Sequence, residues 1–152
     1  MAHCYWGGYG CEEDEERSLE LARESSGKGS RYGQCVLGRL YWWLGVEGVA
    51  EDYAQALALY QLAAAQNFDE AQYSLGCMCL RGLGVAKDYA EALRLFQLAA
   101  AQGHPKALFF VAHCHQLGQG VRKNQAEAIR WYRRAQAAGY LDAAAALQSL
   151  RA

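Results

Sequence analysis

The residues of this 152-residue chain whose types and spacing most suggest chemistry are two short runs, Cys77-Met78-Cys79 and His113-Cys114-His115. Thiolate and imidazole are the usual zinc ligands, and together they also form nucleophile and base pairs. A step of 36 residues carries Cys77 onto His113 and Cys79 onto His115. On a helix, residues two apart diverge by about 200 degrees, so all four cannot converge on one ion. At most one pair faces any one way, which leaves an incomplete site. A thiol-dependent or metal-dependent enzyme using Cys77 and His113 is therefore an alternative reading. No nucleophile elbow or phosphate loop accompanies it. Gly82-Leu83-Gly84 is a partial dinucleotide fingerprint, but it joins two helical segments where that fingerprint needs a strand before the helix. The sequence assigns no catalytic residue, cofactor or metal, and the chain is not read as an enzyme.

Two other clusters suit recognition better than catalysis. Trp42-Trp43 follows Arg39 by one helical turn, and Trp, Tyr and Arg are the residues enriched at binding hot spots. Adjacent residues on a helix point about 100 degrees apart, so one Trp can be core while its neighbour is exposed. The pair is either an aromatic and basic anchor for a peptide or helix, or packing against an inserted loop. Arg130-Trp131-Tyr132-Arg133-Arg134 mixes basic and aromatic residues as nucleic-acid binders do. Tyr132 belongs to an apolar stripe, however, and the remaining charges read as a solvated helix face.

The segments that position these residues repeat. Asp52-Tyr53-Ala54-Gln55-Ala56-Leu57, Asp88-Tyr89-Ala90-Glu91-Ala92-Leu93 and Asn124-Gln125-Ala126-Glu127-Ala128-Ile129 stand at intervals of 36 residues. Each follows a Gly-Val pair, and each leads to an aromatic: Tyr60, Phe96, Tyr132. Periods of 20 to 50 residues mark repeat arrays. In the middle copy Tyr89, Ala92, Leu93, Phe96, Ala99 and Ala100 form one helical stripe. Asp52, Asp88 and Asn124, each followed three residues later by Gln or Glu, predict capped helix starts of the capping-box type. Asn67, Gly103 and Gly139 predict the stops. Leu37-Gly38, Leu75-Gly76 and Val111-Ala112 put a small residue at one fixed position of a preceding helix, which implies close approach of a neighbour.

Residues 1–29 align as a degenerate partial copy through Asp14, with the acidic run Glu12 to Glu16 at a helix start where the helix dipole favours negative charge. Units then run over 30–69, 70–105 and 106–141, and 142–152 begins one more first helix, expected to act as a cap. The first full unit is two residues longer than the others, with the extra length around Trp42-Trp43-Leu44-Gly45 and its first helix expected over 32–43.

With 15 basic and 16 acidic residues, the charge balance gives no argument for nucleic acid or an anionic membrane. No stretch approaches the 18 or so apolar residues of a membrane span, and the start lacks a secretory signal. The expectation is a non-exported, cytoplasmic chain. Its six cysteines follow no repeating spacing, so they read as reduced, small apolar residues.

The unit written over 36 residues, A-x-x-x-L-G-x-x-x-x-x-G-x-G-V-x-x-D-x-x-x-A-x-x-x-F-x-x-A-A-x-x-G, closely resembles the Sel1-like repeat, a relative of the tetratricopeptide repeat. Leu75-Gly76, Gly82-Leu83-Gly84-Val85, Asp88, Ala92, Phe96, Ala99-Ala100 and Gly103 carry the match. Departures are Ala112 for Gly, Asn124 for Asp and the insertion near Trp43. The resemblance implies an all-α fold, a right-handed α-solenoid of antiparallel helix pairs whose first helices line a concave groove. It implies an adaptor or scaffold for protein or peptide partners, expected to be acidic or aromatic, with neither nucleic acid nor membrane. By position, the groove takes Tyr32, Arg39, Trp42 and Trp43 from the first full unit, with Cys35 beside them. Tyr73, Cys77 and Arg81 follow from the second, with Glu70 and Leu80. Lys106, Phe109, His113 and Gln116, with Leu117, come from the third. Weak head-to-tail self-association through the repeat ends is a further alternative, since the acidic first end and the basic third unit are complementary in sign.

Overall fold

A computed structural model describes residues 12–46 and 50–150. The described residues form eight helices and no strand: α1 (Glu12–Gly27), α2 (Arg31–Val46), α3 (Ala50–Ala65), α4 (Asp69–Arg81), α5 (Tyr89–Ala101), α6 (Pro105–Leu117), α7 (Gln125–Ala137) and α8 (Asp142–Ser149). Each helix packs on its neighbours in sequence, α2 on α3, α4 on α5, α6 on α7, with each pair stacked on the next. This is an α-solenoid, in which every unit buries its apolar faces only against adjacent units. Cys4, Cys11 and the Gly48-Val49 pair lie outside the described residues.

The local signals for helix ends hold where they can be seen, with two corrections. Asp88 caps α5, its Oδ1 accepting from the N–H groups of Ala90 at 2.9 Å and Glu91 at 3.0 Å, and Asn124 caps α7 through the Glu127 N–H at 3.1 Å. The reciprocal half of the capping box is missing. The Asp88 N–H already donates to the Cys79 carbonyl and the Asn124 N–H to the His115 carbonyl. Glu91 and Glu127 are therefore free to pair with Arg94 and Arg130 one turn on, at 2.6 Å each. Asp52 lies inside its helix rather than at the cap position, since α3 starts at Ala50 among the described residues. Asn67, Gly103 and Gly139 end their helices with positive φ, at 56°, 86° and 88°.

The core follows the repeat. Ala92, Phe96, Ala99 and Ala100 are buried, as are Tyr60 and Tyr132 at the positions equivalent to Phe96. Each large side chain removed from water contributes on the order of 1.5–3 kcal/mol. Tyr89, expected in that stripe, is exposed; its ring lies 5.9 Å from Lys87 Nζ while its backbone is covered by the Gly120 loop of the next unit. The small residue of the first helix is explained by the same aromatics. A methyl group at Gly38 would meet the Tyr60 ring at 3.2 Å, and one at Gly76 would meet the Phe96 ring at 2.7 Å.

Side-chain amides, with Gln34 and Gln72 buried among them, tie the ends of the units. Gln66 Nε2 donates to Gln34 Oε1 at 2.9 Å and to the Gly29 carbonyl at 3.1 Å. One unit on, Gln102 Nε2 donates to Gln72 Oε1 at 2.8 Å and Gln72 Nε2 to Asn67 Oδ1 at 3.1 Å. The third unit has Leu108 and Ala138 at the matching places, so the amide rung stops there.

Candidate functional site

The extra length around Trp42-Trp43-Leu44-Gly45 is helical. It lengthens the first helix, so that α2 runs 16 residues to Val46 where α4 and α6 run 13. Trp42 and Trp43 both lie on this helix. Trp42 is half-buried, its ring centroid 6.2 Å from that of Tyr60 in an edge arrangement, whereas Trp43 is 62% exposed. Among the described residues, the expected split of inward and outward Trp thus occurs within one continuous helix.

Between α2 and α4 lies a cavity of about 380 Å³. It gathers Arg39, Trp42 and Trp43 from α2, Tyr73, Cys77 and Arg81 from α4, and Lys106 from α6. Glu70, Ser74 and Tyr60 complete the lining. The first helices supply all of these but Tyr60, because the inward stripe of each unit is taken by its own second helix and the remaining faces of α2, α4 and α6 form one row. Tyr32 does not join the cavity. It is exposed and packs edge-on against Phe68, centroids 4.8 Å apart, beneath Arg31. Phe109, His113 and Gln116 form a separate aromatic group further along the row. There Phe109 lies 5.1 Å from Tyr132 and 5.0 Å from Tyr140, and the Tyr132 hydroxyl donates to Gln116 Oε1 at 2.6 Å.

One contact in the cavity wall had no sequence signal beyond the helix start after Gly103. His104 caps α6, its Nδ1 accepting from the Ala107 N–H at 3.2 Å, while its Nε2 lies 2.9 Å from Glu70 Oε2. Accepting at Nδ1 leaves the proton on Nε2, which then donates to the carboxylate. That hydrogen bond, helped by the charges of Lys106 and Arg39, holds the Glu70 carboxyl below its ordinary value against the opposing effect of burial. The His104 ring also stacks on Tyr73, centroids 4.9 Å apart. A polar pair therefore fixes one wall of the cavity across two units. Phe110 is a second residue that the repeat did not reveal, filling the space between Tyr73 and Phe96 at 5.7 and 5.2 Å.

The Cys77 and His113 pairing gains no support as a reactive site. Burial pushes the Cys77 thiol up to about 11, a value at which it stays protonated at neutral pH and is a poor nucleophile. His113 is shifted down by burial, and its Nδ1 has no hydrogen-bond partner. Among the described residues, no group of three or more His, Cys, Asp and Glu side chains is placed to hold a metal ion. The described cysteines, Cys35, Cys77, Cys79 and Cys114, are free and buried, and burial raises every one of their pKa values. They serve as small apolar residues. No described helix is long and apolar enough to cross a membrane.

In the basic cluster of α7, Tyr132 is buried as expected, Arg134 lies over the half-buried Trp131 ring at 4.3 Å, and Arg130 pairs with Glu127. These residues sit on a second helix, away from the row of first helices.

Comparison with known proteins agrees with this architecture. The Sel1 repeat profile matches residues 1–30, 31–68, 69–104 and 105–140. Among solved structures, the chain is similar to c5321, a protective antigen of uropathogenic Escherichia coli strains displaying an SLR fold. There the identity is 33% with a TM-score of 0.83, covering 94% of this chain and 30% of that one. The chain thus spans under a third of the length of the E. coli protein. It is also similar to a Sel1 repeat protein from Oxalobacter formigenes, at 30% identity and a TM-score of 0.73 over 88% of this chain and 98% of that one. Helicobacter pylori cysteine rich protein B shares the fold at 18% identity, with a TM-score of 0.67 over 93% of this chain and all of that one. No curated protein sequence matches. Proteins of this repeat class generally mediate protein–protein interactions. With the profile matched in four consecutive copies, and with Gly38 packed on Tyr60 and Gly76 on Phe96 in the same way in two of them, the chain belongs to the Sel1 repeat family.

Proposed function

We propose that this chain is a non-catalytic interaction scaffold that receives a peptide or helix of a partner protein along the row of first helices α2, α4 and α6. Arg39, Trp42, Tyr73, Arg81, Phe109 and His113 are its main contacts. The observation that carries this reading is the exposure of Trp43 and Arg39 beside half-buried Trp42 at the rim of an open cavity. A Trp that is 62% exposed contributes little to folding, and aromatic and guanidinium groups around a concavity are the composition of binding hot spots. The aromatic group at Phe109 and His113 extends the same row with an uncharged surface. A cytoplasmic setting belongs to the proposal, since free, buried thiols suit a reducing compartment.

The test is affinity capture with mass-spectrometric identification, comparing wild type with a Trp42→Ala/Arg39→Ala variant of confirmed helicity and with an Arg133→Ala control on α7. Partners lost only with the first variant support the groove. Partners retained by it and lost with the control move the working surface to the second helices.

A further inference from the structure

We infer that the cavity between α2 and α4 is a subsite for an acidic side chain of the bound segment, with a bulky apolar side chain seated beside it. This rests on the groove reading above and specifies the chemistry of its ligand. Three cations from three successive first helices, Arg39, Arg81 and Lys106, line the cavity against one carboxylate, Glu70. Among the described residues, none of the three cations enters an ion pair, and Glu70 is already held by His104 Nε2 at 2.9 Å. Two positive charges are therefore unmatched in a concave place.

The three charges act on the same space. After the His104 hydrogen bond, the Glu70 carboxyl is influenced by Lys106 and Arg39, and the Cys77 thiol, governed first by burial, is influenced by Arg81 and Lys106. A carboxylate entering here meets guanidinium groups able to bind it in bidentate fashion, with charge-assisted hydrogen bonds about twice as strong as neutral ones. The wall beside the cations is aromatic: half-buried Trp42 and Tyr73, with exposed Trp43 at the rim. The volume of about 380 Å³ lies near the lower limit of pockets that hold a free small molecule, and it suits a carboxylate plus one large side chain. The surface further along is neutral, since burial holds His113 toward its uncharged form and Gln116 is engaged by Tyr132. The acidic residue is thus drawn to the α2 and α4 end of the row.

The experiment uses a random peptide library displayed with both peptide ends blocked by fusion, so that every carboxylate offered is a side chain. It is panned on the full folded chain and on Arg39→Ala and Arg81→Ala variants matched to wild type in circular dichroism. Lys106→Gln provides a third, equally exposed site. The expected result is enrichment of Asp or Glu next to Phe, Leu, Met or Trp. In anisotropy measurements with a selected labelled peptide, removing one guanidinium should raise Kd about tenfold or more. The Glu→Gln or Asp→Asn form of that peptide should no longer distinguish wild type from variant, which isolates the pair. Enriched peptides that lack acidic residues, yet lose binding with Trp42→Ala, overturn the acidic subsite and leave the groove reading standing. Acidic peptides that bind every cation variant as tightly as wild type overturn the subsite as well. Absence of enrichment, or binding indifferent to Trp42→Ala and to the cations alike, overturns both readings.

Discussion

Gly76 lies face to face with Phe96 so closely that a methyl group on its Cα would stand 2.7 Å from the ring Cε1. Gly76→Ala therefore adds one carbon where none fits. Overpacking costs about 1–3 kcal/mol and the gain in helix propensity returns about 1. The expected net loss is up to about 2 kcal/mol, read as a lower urea midpoint. Gly38→Ala should cost less, because the matching distance to Tyr60 is 3.2 Å. Equal midpoints for the two variants would show that Phe96 moves aside freely and that the close approach sets nothing.

Gly120 joins two constraints that Gly103 separates. Both have positive φ, at 70° and 86°, but the Gly120 Cα faces the backbone of Tyr89 and Ala90 whereas the Gly103 Cα faces open space. Gly103→Ala carries the left-handed backbone cost alone, about 1–2 kcal/mol. Gly120→Ala adds a clash with backbone that no rotamer change can relieve, so its melting temperature should fall further. The comparison tests whether the loop of one unit is the wedge that seats it on the previous second helix.

The hydrogen bond from His104, with the nearby positive charges of Lys106 and Arg39, depresses the Glu70 carboxyl below 4.5. A carboxylate with a folded pKa below its unfolded value contributes stability that is fully present above about pH 4.5. That stability is lost as the pH falls through the folded value. Stability measured against pH should therefore decline below pH 4.5 more steeply in wild type than in Glu70→Gln. Glu70 is half-exposed, so the difference is expected to be small. His104→Ala removes the cap as well and should cost about 1 kcal/mol even at neutral pH, while His104→Asn should recover part of it.

The Cys35, Cys77 and Cys114 thiols, raised by burial to about 12, 11 and 11, are expected to resist alkylation in the folded chain at pH 8 and to react fully on unfolding. Peptide mapping after a short pulse of iodoacetamide resolves each cysteine. Rapid native modification at Cys77 alone would revive the thiol enzyme reading and count against the scaffold.

How much of this was legible in the residues depends on the range of the force involved. The 36-residue step marked helix starts at Asp88 and Asn124, stops at Asn67, Gly103 and Gly139, and the buried aromatics Tyr60, Phe96 and Tyr132. Capping, left-handed turns and the 3.6-residue stripe are all decided within a turn or two of chain, so each repeat states them independently. The length of α2 was not legible in the same way. The helix continues through Gly45 to Val46, since a single glycine weakens a helix by only about 1 kcal/mol and does not end it by itself.

Tertiary structure decided what no single repeat encodes. Which groove positions converge depends on the rotation between successive helix pairs. It collects Arg39, Trp42, Tyr73, Arg81 and Lys106 at one cavity, leaves Tyr32 on Phe68, and sets Phe109 and His113 in a separate aromatic group. Glu70 and His104, 34 residues apart, meet only because two units stack, and a departure from the repeat at His104 gave no hint of its partner. Period and composition thus determined the scaffold, since its forces are local and recur. The chemistry of the groove arises between units, where side chains distant in sequence are brought together by packing alone.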